Sequence, residues 1–172
     1  FSEANGDRDL IGNALIRIAA YYQRTGKDNR ALNHYIRAVE TFEEIGKRHE
    51  IAQSLDSIGK IYFSKDDHDN ALEYFYRSLK IDEEIDDKGE MGWAYNEIGN
   101  VYRKKGDIDK ALYYYSNSLE IDEELNSEIG KGIMFLNIGN AYIDKGNYDK
   151  ALEYCIRSFE ISSKLEHEEI VS

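Results

Sequence analysis

The sequence contains no proline. With the strongest helix breaker missing, no ring clash or lost amide donor interrupts a helix anywhere in the chain. A single cysteine, Cys155, excludes an internal disulfide framework. This usage fits a reducing compartment and leads to the expectation of a cytoplasmic protein, with an extracytoplasmic sensor region as the alternative. No apolar run approaches the length that crosses a bilayer. Positive charge is scarce. Lys and Arg number 22 against 34 Asp and Glu, a net charge of −12. That balance argues against nonspecific binding to nucleic acid or to an anionic membrane, both of which need basic surface.

Catalytic chemistry is missing as well. His34, His49, His68 and His167 are scattered, with no helical spacing suited to a metal and no cysteine cluster to join. They are expected at the surface. The glycines are isolated and form no phosphate-cradling loop. Carboxylate pairs are plentiful, but they fall where nothing would raise a pKa for acid–base work. Cys155 stands at a core phase, where an inert, buried thiol is expected. No catalytic residue, metal or cofactor is therefore expected, and no enzyme.

What the chain does contain is a repeat. Residues 96–125 read NEIGNVYRKKGDIDKALYYYSNSLEIDEEL, and much of this recurs at 136–165, at 56–85 and, more faintly, at 16–45. A fixed 40-residue period is the signature of stacked supersecondary units. The repeats are placed at about 9–48, 49–88, 89–128 and 129–168, as one array over 1–172. Phe1 falls at the phase of Ile81, Ile121 and Ile161. The first residues therefore read as the end of a preceding helix, a turn and a new start, and LEHEEIVS reads as a linker into a further repeat. On this reading the array is truncated at both ends. Its outer faces are expected to expose Ile11, Leu15, Ile18 and Phe159, inviting self-association.

Each repeat holds two apolar patterns at helical spacing. In the third, Tyr95, Ile98, Gly99 and Tyr102 share one face, and Ala111, Leu112, Tyr115, Ser118, Leu119 and Ile121 share another. Between them Gly106 suits a left-handed helix stop and Asp107 an N-cap. Gly26 and Gly146 repeat the stop, and Asp66 replaces it in the second repeat. The pattern predicts eight helices: first helices at about 9–24, 49–64, 89–104 and 129–144, second helices at about 29–45, 69–85, 109–125 and 149–165. Gly59, Gly99 and Gly139 lie inside helices, where glycine costs about 0.5–1 kcal/mol. A close approach to Ala71, Ala111 and Ala151 is the expected cause, with Ala19 and Ala31 playing that pair in the first repeat. Tyr62, Tyr102 and Tyr142, and Tyr74, Tyr114 and Tyr154, recur in phase and are expected to pack between helices.

Leu55-x2-Ile58-Gly59-x2-Tyr62 followed by Ala71 and Phe75 resembles the tetratricopeptide-repeat (TPR) pattern. So do Tyr95-x2-Ile98-Gly99-x2-Tyr102 with Ala111 and Tyr115, and Phe135-x2-Ile138-Gly139-x2-Tyr142 with Ala151 and Cys155. Two features depart from it: the period exceeds 34 residues by about six, and the usual proline after the second helix is missing. Both point to the extended-helix subclass, similar to Gα-regulating polarity adaptors, Rap-type regulators and bacterial sensor proteins. The resemblance implies an all-α, right-handed α-α superhelix of about four hairpins, with the first helices lining a concave groove. It implies a scaffold that binds a peptide or a partner protein there. The alternative is a regulatory, sensor or dimerisation region of a larger bacterial signalling protein (a histidine kinase, a cyclase or a transcription regulator).

Phase places the groove residues: Arg17, Ala20 and Arg24; Gln53, Asp56, Lys60 and Phe63; Trp93, Asn96, Asn100, Arg103 and Lys104; Ile133, Leu136, Asn137, Asn140 and Ile143. In similar repeats an Asn at the phase of Asn100 and Asn140 holds an extended peptide backbone, since an amide donates and accepts at once; the alternative is that both brace neighbouring helices. Trp93, the one tryptophan, is either a binding hot spot or an inter-repeat packing residue. A carboxylate clamp is disfavoured, because Lys60, Asn100 and Asn140 share a phase without further basic partners. Acidic residues crowd the second-helix ends and linkers: Glu43-Glu44, Asp82-Glu83-Glu84, Asp86-Asp87, Asp122-Glu123-Glu124 and Glu168-Glu169. A negative rim around a neutral to weakly basic groove would favour a neutral or acidic peptide; the alternative is an acidic surface that serves solubility alone. The partners expected are thus a peptide or protein, with no nucleic acid, no membrane insertion, and a possible homodimer through the end repeats.

Overall fold

Residues in the left-handed backbone region punctuate the chain at a fixed phase. Gly26, Asp66, Gly106 and Gly146 take φ of 69°, 58°, 80° and 77°, and Gly46, Asp86 and Asn126 take 71°, 55° and 53°. The computed structural model describes the backbone of residues 2–171 and the side chains of residues 5–166. Its helices are α1 (Ser2–Arg24), α2 (Asp28–Ile45), α3 (Arg48–Ser64), α4 (His68–Glu84), α5 (Lys88–Lys104), α6 (Ile108–Glu124), α7 (Glu128–Asp144) and α8 (Tyr148–Val171). At each first-helix stop the amide after the left-handed residue closes back on a tyrosine carbonyl: Lys27 to Tyr22 (2.9 Å), Asp67 to Tyr62 (3.0 Å), Asp107 to Tyr102 (3.0 Å) and Asn147 to Tyr142 (2.9 Å). This ring satisfies carbonyls that the helix end would otherwise orphan. α2 and α3 have no side-chain cap, but four later helices do. Asp67 accepts from the Asn70 amide at 3.3 Å and Asp107 from Lys110 at 3.2 Å. Ser127 accepts from Gly130 at 3.1 Å and Asn147 from Lys150 at 3.2 Å.

The six inner helices fall within about one residue of the expected spans. The outer two differ. α1 is continuous from Ser2, with no turn before residue 11, and α8 runs on to Val171 instead of ending near residue 165. Gly6 stands at the phase of Gly46, but glycine permits a left-handed stop without compelling one. Within α8 the same phase is occupied by Glu166, a helix former that disfavours that conformation. The expectations for the side chains of Phe1, His167, Glu168 and Glu169 lie outside the described residues.

The helices form two compact units, Phe1–Asp87 and Lys88–Ser172. In the first, α1 packs on α2, α2 on α3 and α3 on α4; in the second, α5 packs on α6, α6 on α7 and α7 on α8. Short connections make these neighbours antiparallel hairpins. Leu15, Tyr35, Phe42, Leu55, Ile58 and Ile61 are among the core of the first unit. Leu15 is thus buried, not exposed as expected, because it faces α2 within its own hairpin. Ile11, Ile18 and Phe159 are exposed, at 52%, 42% and 71%. Cys155 is only half-buried, whereas Phe75 and Tyr115 at the same phase are fully buried. The covering helix that α2 and α6 receive from α3 and α7 has no counterpart on α8 among the described residues.

The buried glycines face rings rather than alanines. A Cβ on Gly59 would lie 2.6 Å from the Phe75 ring, and one on Gly99 would lie 2.6 Å from the Tyr115 ring. Ala71 and Ala111 are buried on the facing helices but are not among the nearest atoms. At Gly139 the neighbours are the Cys155 sulfur at 2.9 Å and the Ala151 carbonyl at 3.4 Å. Each aromatic ring therefore occupies the space of a missing methyl group, which holds the two helices of a hairpin close.

Polar groups lock the same hairpins. The hydroxyls of Ser78, Ser118 and Ser158, all buried, donate to the carbonyls of Ala52, Gly92 and Gly132 at 3.0, 2.8 and 2.8 Å. The expected tyrosine packing takes the form of stacked pairs: Tyr62 on Tyr74 at 5.5 Å, Tyr102 on Tyr114 at 5.5 Å and Tyr142 on Tyr154 at 5.6 Å. Lys110 lies over Tyr102 and Lys150 over Tyr142. In the first repeat His34 replaces the second tyrosine and stacks on Tyr22, so it is half-buried rather than at the surface. His68, also half-buried, packs on Phe63. Ion pairs recur in phase between the start of a first helix and the end of the second: Arg8–Glu44, Arg48–Glu84 and Lys88–Glu124. They are exposed, and pairs of that kind contribute less than about 1 kcal/mol each.

Two predictions follow from the ring-over-glycine contact. Gly99→Ala removes a helix-destabilising residue yet collides with a buried ring, so a net loss of about 1–3 kcal/mol is expected in urea denaturation. Gly6→Ala, where a Cβ meets nothing within 4 Å, should be neutral or stabilising by up to about 1 kcal/mol. Equal effects at the two sites would remove the steric account. Tyr115 supplies the second. Burial pushes its phenol up to about 12, with Arg103 acting in the opposite direction. The folded state thus holds this proton more tightly than the unfolded chain, in which tyrosine titrates near 10. The contribution, on the order of 2 kcal/mol, is intact below about pH 10 and is lost as pH rises toward 12. Tyr115→Phe should therefore lose stability less steeply between pH 10 and 12. Parallel melting-temperature curves for the two proteins would contradict this.

Candidate functional site

The groove residues named from phase lie on α1 and α3 in the first unit and on α5 and α7 in the second. In the first unit Arg17, Ala20 and Arg24 are exposed along α1. On α3, Gln53 is exposed and lies 2.9 Å from His49. Lys60 is half-buried and forms an ion pair with Asp56 at 2.7 Å. The face of this unit is polar, and its accessible cations are Arg17 and Arg24.

In the second unit the same face is apolar, with amides. Trp93 is 53% exposed, Leu136 and Ile143 are each 47% exposed, and Ile133 is half-buried. Two assigned residues turn inward. Asn96 is buried, and its carbonyl accepts from the Asn137 amide at 2.8 Å, tying α5 to α7. Arg103 is held by Asp144 at 2.6 Å. Lys104 remains exposed at the end of α5. The expected weakly basic groove is therefore reduced, because Lys60 and Arg103 are neutralised by neighbouring carboxylates.

Asn100 and Asn140 share a phase but not an environment. Asn100 accepts from the Tyr115 hydroxyl at 2.8 Å, which makes it a brace within its hairpin. Asn140 faces the phase where Cys155 stands in place of that tyrosine, and a thiol does not reproduce the phenol's bond. Among the described residues the Asn140 amide has no hydrogen-bond partner, and it is half-buried.

At the α6–α7 end of this face lies a cleft of about 220 Å³ that includes Trp93, Leu125, Ile129 and Ile133, with Asp122 and Asn96 among its polar residues. The sequence reading placed Asp122 on a solvated rim and did not name Leu125 or Ile129. Leu125 and Ile129 are exposed at 48% and 66%. The signal that could have found Ile129 is an apolar residue at the start of α7, at a phase where the other repeats carry Asp9, His49 and Gly89; Leu125 repeats Ile45, Ile85 and Leu165 and gives no such signal. Among the described residues, no three His, Cys, Asp or Glu side chains gather as a metal site. No helix of the described chain is long and apolar enough to cross a membrane.

Comparison with known proteins bears on the fold. No curated protein matches the sequence. Among solved structures, BtubC (BKLC) from P. vanneervenii is similar with a TM-score of 0.84 and 22% identity, over 92% of this chain and 66% of that one. The apo form of RapI gives 0.80 and 23%, over 89% of this chain and 43% of that one. Aspartyl phosphate phosphatase F from Bacillus subtilis gives 0.85 and 17%, over 90% and 41%. The chain thus spans less than two thirds of the length of these structures. Identities at this level carry the fold alone, an all-α helical-repeat fold of the superhelical class. Tetratricopeptide-repeat signatures match residues 10–84, 92–125 and 134–165. With the repeats, their capping turns and their packing glycines all in register, the chain belongs to the tetratricopeptide-repeat family, whose repeats serve as protein–protein interaction scaffolds.

Proposed function

We propose that the α5–α7 face holds an extended peptide segment of a partner protein. The observation that carries this reading is the exposed tryptophan beside a row of exposed aliphatic side chains, Trp93, Ile129, Leu136 and Ile143, on helices whose other apolar faces are packed. Exposed aromatics seated in a cleft are the commonest anchors of partner binding. Asn140 supplies the amide for a peptide backbone, and the Asn137 carbonyl, not engaged by Asn96, supplies an acceptor. Arg17, Arg24, Gln53 and Lys60 form the corresponding face of the first unit, and Lys104 lies at the edge of the second.

A second reading, a dimerising regulatory region, is favoured by the exposed outer faces of α1 and α8. Leu10 and Ile11 on one, and Leu152 and Phe159 on the other, are more than half exposed. Light scattering after size exclusion separates the two. A monomer that binds peptide supports the first, and a tight dimer without peptide affinity supports the second.

Trp93 is the only tryptophan, so its emission reports on this face alone. A peptide selected from a random display library against the whole chain should shift that emission on binding. Trp93→Ala should weaken the same peptide by about tenfold or more. Selected peptides that leave the emission unchanged and bind the variant equally well would place recognition elsewhere.

A further inference from the structure

One carboxylate of the second unit sits in an apolar cleft without a counter-charge. Asp122, on α6, is half-buried between the side chains that wall the cleft. The neighbouring polar groups are already engaged. The Ser118 hydroxyl donates to the Gly92 carbonyl and the Asn96 carbonyl accepts from Asn137, while the Ser127 hydroxyl, which accepts from the Gly130 amide, is the one neutral donor to Asp122. Lys131, the cation whose field reaches Asp122, is paired with Glu128. Burial pushes the Asp122 carboxyl up, opposed by Lys131 and by a hydrogen bond from Ser127. A poorly hydrated carboxylate of this kind gains from any cation brought against it.

The Asp122 carboxylate fits against α7 because that helix carries a glycine there. A Cβ on Gly130 would lie 2.0 Å from the Asp122 carboxylate oxygen. The positions in phase with Gly130 in the earlier repeats are Leu10, Glu50 and Glu90. The cleft beside Gly130 and Ile129 also holds the exposed Trp93 of the preceding repeat.

We infer that this cleft binds a cationic side chain, Arg or Lys, flanked by apolar residues in the partner. Asp122 meets the charge, Trp93 lies along the cation or its stem, and Leu125 and Ile129 cover the flanking side chains. The inference rests on the peptide-binding reading above and specifies the ligand of the same face. It reverses the expectation of a neutral or acidic peptide: the carboxylate lies in the cleft, and a net charge of −12 speeds encounter with a basic partner.

The test uses the whole chain and the peptides selected from the display library. Those that shift Trp93 emission should share an Arg or Lys next to apolar residues. For one such synthetic peptide, replacing Arg by citrulline keeps the shape and removes the charge. It should bind the native protein about five- to tenfold more weakly. The isosteric Asp122→Asn should bind both peptides alike, with its fold checked by circular dichroism. The citrulline replacement leaves the protein unchanged, so it decides the question even if the variant fails to fold. Equal binding of the two peptides to the native protein overturns this inference and leaves the partner-binding reading standing. If no selected peptide shifts Trp93 emission, both fall.

Discussion

The ring laid over a helical glycine is the contact from which the rest of each hairpin is arranged. Phe75 over Gly59 and Tyr115 over Gly99 bring the paired helices closer than any β-carbon would permit. At that separation the buried serine of the second helix reaches a backbone carbonyl of the first, as Ser118 reaches Gly92. The tyrosines one residue earlier stack on the first helix, as Tyr114 does on Tyr102. A hairpin built on a larger residue would move its helices apart and lose both contacts together. The first repeat shows a tolerated variation, Ala19 beside Tyr35, both buried.

The same contact sets the state of the face opposite. The phenol that covers Gly99 ends in a hydroxyl that bonds Asn100. Where Cys155 replaces it, the ring and the hydroxyl vanish together and Asn140 is left with an unused amide. Packing and recognition are linked through one side chain. Its replacement in the fourth repeat leaves Asn140 without an internal partner among the described residues.

Secondary structure was legible because three independent signals agree on it: the 40-residue period, the apolar spacing, and left-handed stops followed by caps. The stops at Asp66, Gly106 and Gly146 are local in origin, so a local reading finds them. The same reading misjudged Gly6, where a permissive residue continues the helix. Glu166 likewise lets α8 continue. Contacts across helices were harder to read. Alanine was named as the partner of each glycine because both are small, but spacing alone does not say which side chain a rotamer sends across a hairpin. Asn96 and Asn137 turned toward each other, and Lys60 and Arg103 turned to carboxylates, through long side chains whose direction no periodicity encodes. The Asp122 cleft was invisible for a related reason. The Asp122 carboxylate fits against α7 in the space left by Gly130, and a sequence displays residues rather than the gaps between them.

Comparing repeats position by position separates the two tasks of the chain. At the packing phases the repeats nearly agree: Ile18, Ile58, Ile98 and Ile138; Ala31, Ala71, Ala111 and Ala151; Ala38 and then Ser78, Ser118 and Ser158. At the face phases they diverge. Gln53, Trp93 and Ile133 share one position, Lys60, Asn100 and Asn140 another, and Glu50, Glu90 and Gly130 a third. Identical surfaces would follow from a repeat that served stacking alone, since the interior needs the same side chains at every step and the exterior needs only solubility. Divergence at the face, together with an apolar tryptophan-bearing surface on one unit and a charged one on the other, gives each repeat a separate chemical address. In the second unit the regular interior fixes the spacing of Trp93, Leu136 and Ile143, the side chains that the proposed peptide would meet.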